Sequence, residues 1–236
     1  MLKNSEALVA QRGKLIAIEG IDGSGKGTQT ARLVEALSRT GRRCTSLSFP
    51  RYSDTFFGAR IGDFLNGRFG SLADVDPFLA AMLFAGDRFE SKPVLDQALA
   101  SHDVVILDRY VASNVAHQAG KRTGHEGRRL TEWIERLEFD VYGLPHPDGV
   151  LLLDLPARDA QNLIAKKSAR NYTEKAADLQ EADAVYLENV RQVYLDLASQ
   201  NSTWRIISVL RDASLRSIDD IAAEVLQIAK TLASLS

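Results

Sequence analysis

The chain has 236 residues, of which 45% are hydrophobic, enough to bury a full core as one α/β domain. Its formal net charge of -2 gives no electrostatic reason to expect a nucleic acid or an anionic membrane as a partner. The single cysteine excludes an internal disulfide framework and a multi-cysteine zinc site, and no apolar run approaches the length of a membrane span. Because residues 1–12 lack signal-peptide and transit-peptide character, we expect a cytoplasmic protein with a flexible leader over that segment.

Short runs rich in Val, Ile and Leu alternate with longer helical patterns along the chain. This alternation predicts a three-layer α/β fold, in which a parallel five-stranded sheet carries helices on both faces. No repeat, low-complexity tract or Pro/Gly linker indicates a second domain, so residues 13–236 are predicted to form a single domain. The predicted strands are residues 15–19, 43–49, 104–108, 150–154 and 205–209.

A glycine-rich turn follows the first predicted strand and precedes a helical pattern over residues 29–37. This context is typical of a P-loop, in which backbone N–H groups and a helix N-terminus hold phosphate oxygens and Lys26 reaches the β- and γ-phosphates. Thr28 is the nearest hydroxyl for a magnesium ion, because Gly27 stands where the usual pattern has Ser or Thr. The alternative is a glycine-rich turn without a ligand. The predicted nucleotide-binding residues are Gly20, Asp22, Gly23, Ser24, Gly25, Lys26, Gly27 and Thr28.

Charged residues stand at the predicted carboxyl ends of the second and third strands, the edge where an open parallel sheet forms its ligand crevice. Asp108 can hold Mg²⁺ directly or through water, and Arg109 can form two hydrogen bonds to one phosphate. Pro50 ends the second strand and is expected to aim Arg51 into the same crevice. Taken alone, the Asp108–Arg109 dipeptide is equally compatible with an ordinary ion pair at a strand end.

Phe84 and Arg88 are spaced i, i+4 on a predicted helix and therefore share one face. A ring beside a guanidinium can stack on a flat base and hydrogen-bond its edge, and Asn114 adds an amide donor and an acceptor. The alternative for the pair is a core phenylalanine with a surface arginine. The least apolar stretch, residues 165–183, is either a solvated helix face or a basic lid that closes over phosphates.

Together these segments resemble thymidylate kinase, a family of P-loop nucleoside monophosphate kinases, and are closest to its mycobacterial-type bacterial members. The similarity runs in order from about residue 14 to about residue 197. No single motif is unique to the family, but the ordered set is highly specific. The matching segments are residues 18–23, 49–52, 83–88, 108–114, 143–145 and 184–186.

The resemblance implies transfer of the γ-phosphoryl group of ATP to dTMP, giving dTDP and ADP with Mg²⁺, in dTTP biosynthesis. It implies that Lys26 holds donor and acceptor together while Arg51 and Arg109 bind the dTMP phosphate. Asp22 is implied to contact the sugar 3′-hydroxyl or the metal region, and Asp108 to anchor Mg²⁺. The implied partners are therefore dTMP and ATP, with no nucleic acid and no membrane, and the family is commonly a homodimer through helices beside the sheet.

The resemblance also implies roles for residues farther along the chain. Phe84 is implied to lie under thymine, with Arg88 and Asn114 at its polar edge. A short basic lid over residues 163–176 is expected to supply Arg170, with Lys166 or Lys167 in support, because the P-loop tip lacks the arginine of some members. The implied substrate-binding residues are Phe49, Pro50, Arg51, Phe84, Arg88, Arg109, Asn114, His117 and Glu174.

The sequence departs from the family pattern in the sugar pocket and in the lid. His117 stands where members usually have a tyrosine that crowds the sugar 2′ position, so we expect weaker discrimination against ribonucleotides. The alternative is a histidine that fills the same space. In the lid, Asn171 replaces an aspartate of the family's Asp-x-x-Glu pattern, whereas Glu174 is retained.

Three other functions fit the sequence less well than this interpretation. A kinase for AMP, CMP or UMP fits less well, because the polar edge formed by Phe84, Arg88 and Asn114 suits thymine. A regulatory P-loop switch lacks support, since there is no Asn-Lys-x-Asp signature and the Asp-x-x-Gly match at residues 140–143 lies at a predicted helix end. A catalytically inactive homologue is disfavoured by retention of Lys26, Asp108 and Arg109.

Overall fold

The computed structural model describes residues 12–71, 74–122, 124–164 and 183–233. Its centre is a five-stranded, entirely parallel sheet in the spatial order β2-β3-β1-β4-β5. All five predicted strands are confirmed, with small shifts at their ends. The strands are β1 (Lys14–Glu19), β2 (Cys44–Ser48), β3 (Val104–Asp108), β4 (Gly149–Asp154) and β5 (Trp204–Ser208).

Helices cover both faces of this sheet, as the continuous apolar runs of its strands require. They are α1 (Lys26–Ser38), α2 (Phe56–Leu65), α3 (Pro77–Ser101), α4 (Val111–Ala119), α5 (Gly124–Glu135), α6 (Ala157–Ile164), α7 (Ala184–Gln200) and α8 (Ile218–Leu232). A π-helix (Arg136–Val141) extends α5, and a small antiparallel hairpin pairs β6 (Leu210–Arg211) with β7 (Ser214–Leu215). Residues 140–143 thus lie at a helix end, as predicted.

The side chains of β1 show how the layers are divided, because successive residues of a strand point to opposite faces. Ile16 and Ile18 pack into a core with α1, α7 and α8, whereas Leu15 and Ala17 pack into a second core with α3, α4 and α5. Leu15, Ile16 and Ile18 are each 0% exposed. The result is the predicted three-layer α/β architecture.

The ends of the central strands bring three short connections together. Asp108, the last residue of β3, is in register with Ile18 of β1 and Ser48 of β2. The loops that follow these three strands therefore leave the sheet at one level, at its carboxyl edge. None of the helices in the described part of the chain is both long and apolar enough to cross a membrane.

The predicted lid over residues 163–176 lies outside the described residues, apart from its first two positions at the end of α6. The predictions for Lys166, Lys167, Arg170, Asn171 and Glu174 therefore concern residues outside the described part. The predicted leader over 1–12 lies outside it as well, except for Arg12.

Candidate active site

The turn between β1 and α1 has the close backbone approach that a P-loop needs. Gly20, Gly23 and Gly25 all have positive φ, at 142°, 85° and 92°. A Cβ on Gly20 would lie 2.6 Å from the carbonyl oxygen of Leu153, and one on Gly23 would lie 2.7 Å from that of Ala160. A side chain at either position would collide with backbone, so these glycines allow the loop to lie against β4 and α6.

Lys26 opens α1 and is 6% exposed. Its Nζ donates to the carbonyl oxygen of Ile21 at 2.8 Å, so the ammonium is folded back over the loop. Burial, together with the charge of Arg109, lowers the pKa of Lys26 to about 8, while Asp22 and Asp108 act in the opposite direction. An anion held at this lysine would favour its charged form further.

Arg109 follows β3 in a left-handed backbone conformation, with φ of 69°. Such a conformation costs a residue with a side chain on the order of 1–3 kcal/mol and persists only where its surroundings impose it. Its guanidinium binds Asp22, with Nη2 at 2.5 Å from Oδ1, and Nη1 donates to Ser113 Oγ at 3.2 Å. The backbone N–H donates to Ile18 of β1 at 3.1 Å. Arg109 thus lies directly above the end of the central strand.

Glu19 was not singled out from the sequence, yet it organises the backbone beside Arg109. It is 0% exposed and accepts hydrogen bonds from the Tyr110 backbone N–H at 2.7 Å, Ser113 Oγ at 2.6 Å and the Tyr194 hydroxyl at 3.0 Å. Burial raises the pKa of its carboxyl group, and the hydrogen bond from Ser113 and the charge of Arg109 act against that rise. Three donors on one carboxylate fix the turn that carries Arg109.

A cavity of about 500 Å³ lies behind Glu19, between α5, the π-helix and the start of β4 and β5. Residues of α4 also line it, and none of the sequence-predicted site residues does. It lies outside the P-loop region, so we place the site elsewhere.

Two adjoining cavities at the carboxyl edge of the sheet contain most of the predicted site. The first is lined by the P-loop residues Gly23, Gly25, Lys26 and Gly27 together with Phe49 and Asp108. The second is lined by Leu65, Phe84, Ser113, Asn114, His117 and Gln118. We call them the P-loop cavity and the α4 cavity. Their walls share Asp22, Pro50, Tyr52 and Arg109.

The α4 cavity is lined by an aromatic ring and by buried polar groups. Phe84 packs edge-on against Phe64 at 6.4 Å between ring centroids. Asn114 Nδ2 donates to the Ala81 carbonyl at 3.0 Å and to Glu138 Oε1 at 2.9 Å. Because both donors of the amide are used, its Oδ1 remains as a buried acceptor without a partner in the described residues.

Arg88 is buried. The alternative considered from the sequence, a surface arginine beside a core phenylalanine, is therefore wrong for its position. Arg88 is 2% exposed and forms two hydrogen bonds to the fully buried Glu138, at 2.5 Å and 2.7 Å. It does not line the α4 cavity, and Glu138 connects it to Asn114. Glu138 was missed from the sequence, where it is one acidic residue among many in a helical stretch.

Arg51 lies beside the cavities and lines neither of them. Its guanidinium is bound to Asp54 at 3.0 Å and to Ser91 Oγ at 3.3 Å, while its backbone N–H donates to Asp87 Oδ2 at 3.0 Å. The peptide bond between Phe49 and Pro50, just before it, is cis. The phosphate contact of Arg51 therefore stays a prediction, and it requires a different side-chain position.

The residues at the mouth of the P-loop cavity fit a divalent cation. A Cβ on Gly27 would lie 3.2 Å from Asp108 Oδ2, so the carboxylate is placed directly against the first turn of α1. Thr28 is exposed in that same turn, whereas the Ser24 hydroxyl is buried without a partner among the described residues. No group of three or more His, Cys, Asp or Glu side chains within the described ranges could hold a metal alone. One carboxylate beside a phosphate loop is the ligand set of a magnesium ion that arrives with a nucleotide.

Residues 18–218 match the family model described as thymidylate kinase. The chain belongs to the thymidylate kinase family. It is 36% identical over 195 residues to the thymidylate kinase of Mycobacterium tuberculosis, covering 82% of this chain and 90% of that protein. Human thymidylate kinase is 35% identical over 153 residues, which cover 65% of this chain and 66% of the human protein.

A solved thymidylate kinase structure, from Candida albicans, supports the same assignment. It superposes with a TM-score of 0.72 at 26% identity, and the match covers 93% of this chain and 92% of that one. The family resemblance noted from the sequence is thereby confirmed, as is the α/β fold. The mycobacterial similarity expected from the wording of the motifs is confirmed too. This thymidylate kinase family member is accordingly a nucleotide-dependent transferase.

Proposed function

We propose that this protein transfers the γ-phosphoryl group of ATP to dTMP, forming dTDP and ADP. The observation that carries the proposal is the junction of the two cavities at the Asp22–Arg109 ion pair. One side of that junction is a phosphate-binding loop with Lys26, and the other is a pocket with an aromatic wall and a buried amide. The groups proposed to hold a donor phosphate chain therefore adjoin those proposed to hold the acceptor nucleotide.

The acceptor base is chosen by the fixed orientation of Asn114. Asn114 lines the α4 cavity, and its Oδ1 is a buried acceptor that cannot exchange places with Nδ2 without breaking both hydrogen bonds of Nδ2. Thymine and uracil carry an N3–H that can donate to it, whereas cytosine and adenine present a ring nitrogen lone pair at the corresponding edge. An unpaired buried acceptor facing a lone pair costs about 1–3 kcal/mol, which favours a ring N–H edge such as the N3–H beside the 4-oxo group of thymine. Phe84 supplies the stacking face.

The chain's charged groups then act on the transferred phosphoryl group by positioning and by charge. Arg109 is placed to hold the acceptor phosphate, and Lys26 to bridge the two phosphate groups, where negative charge is spread in the transition state. No general base is needed, since the attacking phosphate oxygen is already anionic. Asp108, Asp22 and Thr28 are the proposed holders of Mg²⁺, which when bound supplies charge neutralisation on the phosphate oxygens. Arg170 and Glu174 of the predicted lid remain proposals.

We also propose a homodimer formed through α3. Leu79, Met82 and Phe89 lie at steps of three and seven along this helix, so they share one face, and they are 61%, 46% and 51% exposed. Large apolar side chains on one helix face favour burial against another surface. A second copy of the chain is the occupant that the family resemblance suggests. A cytoplasmic location stays a prediction.

The test is a coupled ADP-release assay with Mg-ATP and a panel of dTMP, dUMP, AMP, CMP, UMP and GMP. Turnover led by dTMP supports the proposal, turnover led by AMP or CMP contradicts the role of Asn114, and turnover led by GMP contradicts dTMP as the acceptor. Lys26→Ala is the matched control, and its turnover rate should be lower than that of the wild type by about 100-fold or more. Near-normal turnover of this variant would contradict the P-loop role of Lys26.

A further inference from the structure

The cavity behind Glu19 has the size of a small-molecule site, and the proposed reaction does not use it. Its volume of about 500 Å³ exceeds the 300 Å³ of the P-loop cavity. Pockets that bind small ligands typically have volumes of about 300–1,000 Å³. We call it the rear cavity, and its lining includes Glu19, Glu135, Phe139, His146 and Trp204.

Much of the lining of the rear cavity is apolar or aromatic. Val115 and Leu197, which are 1% and 9% exposed, belong to it. Phe139 and Trp204 line it as well, and the Phe139 ring stacks on His146 with 3.9 Å between the ring centroids. Flat rings and aliphatic side chains around one space favour a ligand with a flat apolar body.

The charged residues of this lining are mostly acidic. Glu132 and Glu135 are spaced i, i+3 on α5, so they lie on the same face of that helix. Both also line an adjoining cavity of about 640 Å³ between α5 and α7, and they therefore stand where the two cavities meet. The acidic residues of the rear cavity are Glu19, Glu132, Glu135 and Asp140, and the basic ones are Arg136 and His146.

Glu132 and Glu135 lack a counter-charge in contact with them. Within the described part of the chain, no lysine or arginine side chain forms an ion pair with either carboxylate. Burial raises the pKa of Glu135, the charge of His146 acts against that rise, and the charge of Glu132 adds to it. A cation bound beside the two carboxylates would favour the charged form of both. The sign of the lining therefore suits a ligand that carries a positive charge.

The helix α4 separates the rear cavity from the α4 cavity. Ala112 and Val115 line the rear cavity, whereas Ser113 and Asn114 line the α4 cavity. Glu19 lines the rear cavity as well, and its carboxylate accepts the hydrogen bond of Ser113 Oγ at 2.6 Å. A ligand in the rear cavity would thus contact the helix and the carboxylate that position the residues of the proposed acceptor site.

We propose that the rear cavity is an effector site for a small aromatic amine, whose ring packs against Phe139 and Trp204 and whose ammonium group binds Glu132 and Glu135. Occupancy of this site changes the affinity for the acceptor nucleotide through α4. By thermodynamic linkage, the amine and dTMP alter each other's affinity by the same factor. Amine binding does not depend on the proposed function, whereas the coupling to the acceptor rests on it.

The experiment follows the fluorescence of Trp204 in a Trp133→Phe background, in which Trp204 is the one remaining tryptophan. Trp133 lines neither the rear cavity nor the adjoining one. The probes are 2-phenylethylamine, 2-phenylethanol and 3-phenylpropionate, which share a ring and differ in the charge of the end group. We expect the amine to bind about 10-fold more tightly than the alcohol, and the acid to bind most weakly.

Glutamine variants of the two glutamates test the position of the ammonium group. Glu132→Gln and Glu135→Gln each keep the size of the side chain and remove one charge. Each should weaken amine binding by about 3-fold and leave the binding of the alcohol unchanged. Glu126→Gln is the matched control, because Glu126 is an exposed carboxylate of α5 that lines neither cavity, and it should change neither affinity.

The coupling is measured by repeating the amine titration with saturating dTMP, and the affinity should change by about 2-fold or more. Three outcomes would overturn the binding site: no saturable change of Trp204 fluorescence at millimolar amine, equal affinities for the three probes, or glutamine variants that bind the amine as Glu126→Gln does. An amine affinity that dTMP does not change would overturn the coupling. Absence of dTMP turnover without the amine would overturn the proposed function, and the amine titrations alone would still decide the site.

Discussion

Arg88 and Glu138, fifty residues apart in sequence, form a two-point ion pair that is almost completely excluded from solvent, with side-chain exposures of 2% and 0%. The same carboxylate accepts a hydrogen bond from Asn114, which lines the α4 cavity. The orientation of the Asn114 amide therefore depends on a charge pair that joins α3 to the π-helix.

Replacing Glu138 by leucine should destabilise the fold by about 3–5 kcal/mol, because the buried Arg88 charge would lose its counter-charge. The measurement is the free energy of unfolding from urea titration, in variants whose m-value equals that of the wild type. The double variant Arg88→Met with Glu138→Leu should regain most of that loss while its KM for dTMP stays raised, since Asn114 is no longer held. Equal destabilisation of the single and double variants would contradict this account.

Arg109→Lys should weaken dTMP use more than ATP use. A lysine cannot reproduce the two-point contact of a guanidinium with a phosphate, and it also loses the hydrogen bond to Ser113. We expect KM for dTMP to rise about 10-fold and KM for ATP to change by about 2-fold or less. Steady-state kinetics with each substrate varied in turn will show it, and equal losses for both nucleotides would remove the assignment of Arg109 to the acceptor.

Glu19→Gln should lower kcat through the position of Arg109, since the amide can accept fewer of the three hydrogen bonds that the carboxylate receives. Stability should fall by about 2–3 kcal/mol, the cost of unsatisfied hydrogen bonds to a charged group. The KM for ATP is expected to stay nearly constant, which separates this positioning effect from general damage. A variant as stable and as active as the wild type would mean that the carboxyl group is already protonated.

The buried His117 should make the protein less stable in mild acid. Its pKa is lowered from 6.5 to about 3 on folding, so between these values the unfolded chain binds a proton that the folded chain does not. The stabilising effect is complete above the unfolded pKa and is lost as the pH falls. Between pH 7 and pH 5, the wild type should lose about 2 kcal/mol more than His117→Phe. Parallel curves for the two proteins would contradict the neutral buried ring.

The proposed dimer can be tested by introducing a charged side chain on the exposed apolar face of α3. Leu79→Glu should shift the protein from dimer to monomer in light scattering coupled to size-exclusion chromatography, because a carboxylate would have to be buried at the interface. Leu215→Glu is the matched control, since Leu215 is 49% exposed on β7 and lies away from that face. A wild type with the mass of one chain at micromolar concentration would contradict the dimer.

The strands and the P-loop were predictable because each depends on local sequence. A strand buried on both faces is a continuous apolar run, and the glycines of the turn are required by backbone contacts within the motif itself. Asn114 and His117 were also found from the sequence, since motif order places them after β3. The structure brings both to the same cavity as Phe84.

The polar contacts between distant segments were not predictable. Nothing around Glu19 or Glu138 in sequence distinguishes them from solvated carboxylates, because their roles come from Tyr194 and Arg88, brought near by tertiary packing. Arg51 shows the opposite case: its motif aims it at the phosphate, whereas the structure binds it to Asp54 beside the cavities.

With Arg109 as the proposed ligand of the acceptor phosphate, its ion pair with Asp22 makes that carboxylate a competitor of the phosphate. In this proposed binding mode an arriving nucleotide displaces Asp22 from Arg109, so the affinity for dTMP is the difference between two charge contacts. A dianionic phosphate gains from that exchange, whereas thymidine, which has no phosphate, leaves the pair intact. The proposed exchange thereby favours the binding of nucleotides over nucleosides before any chemistry begins.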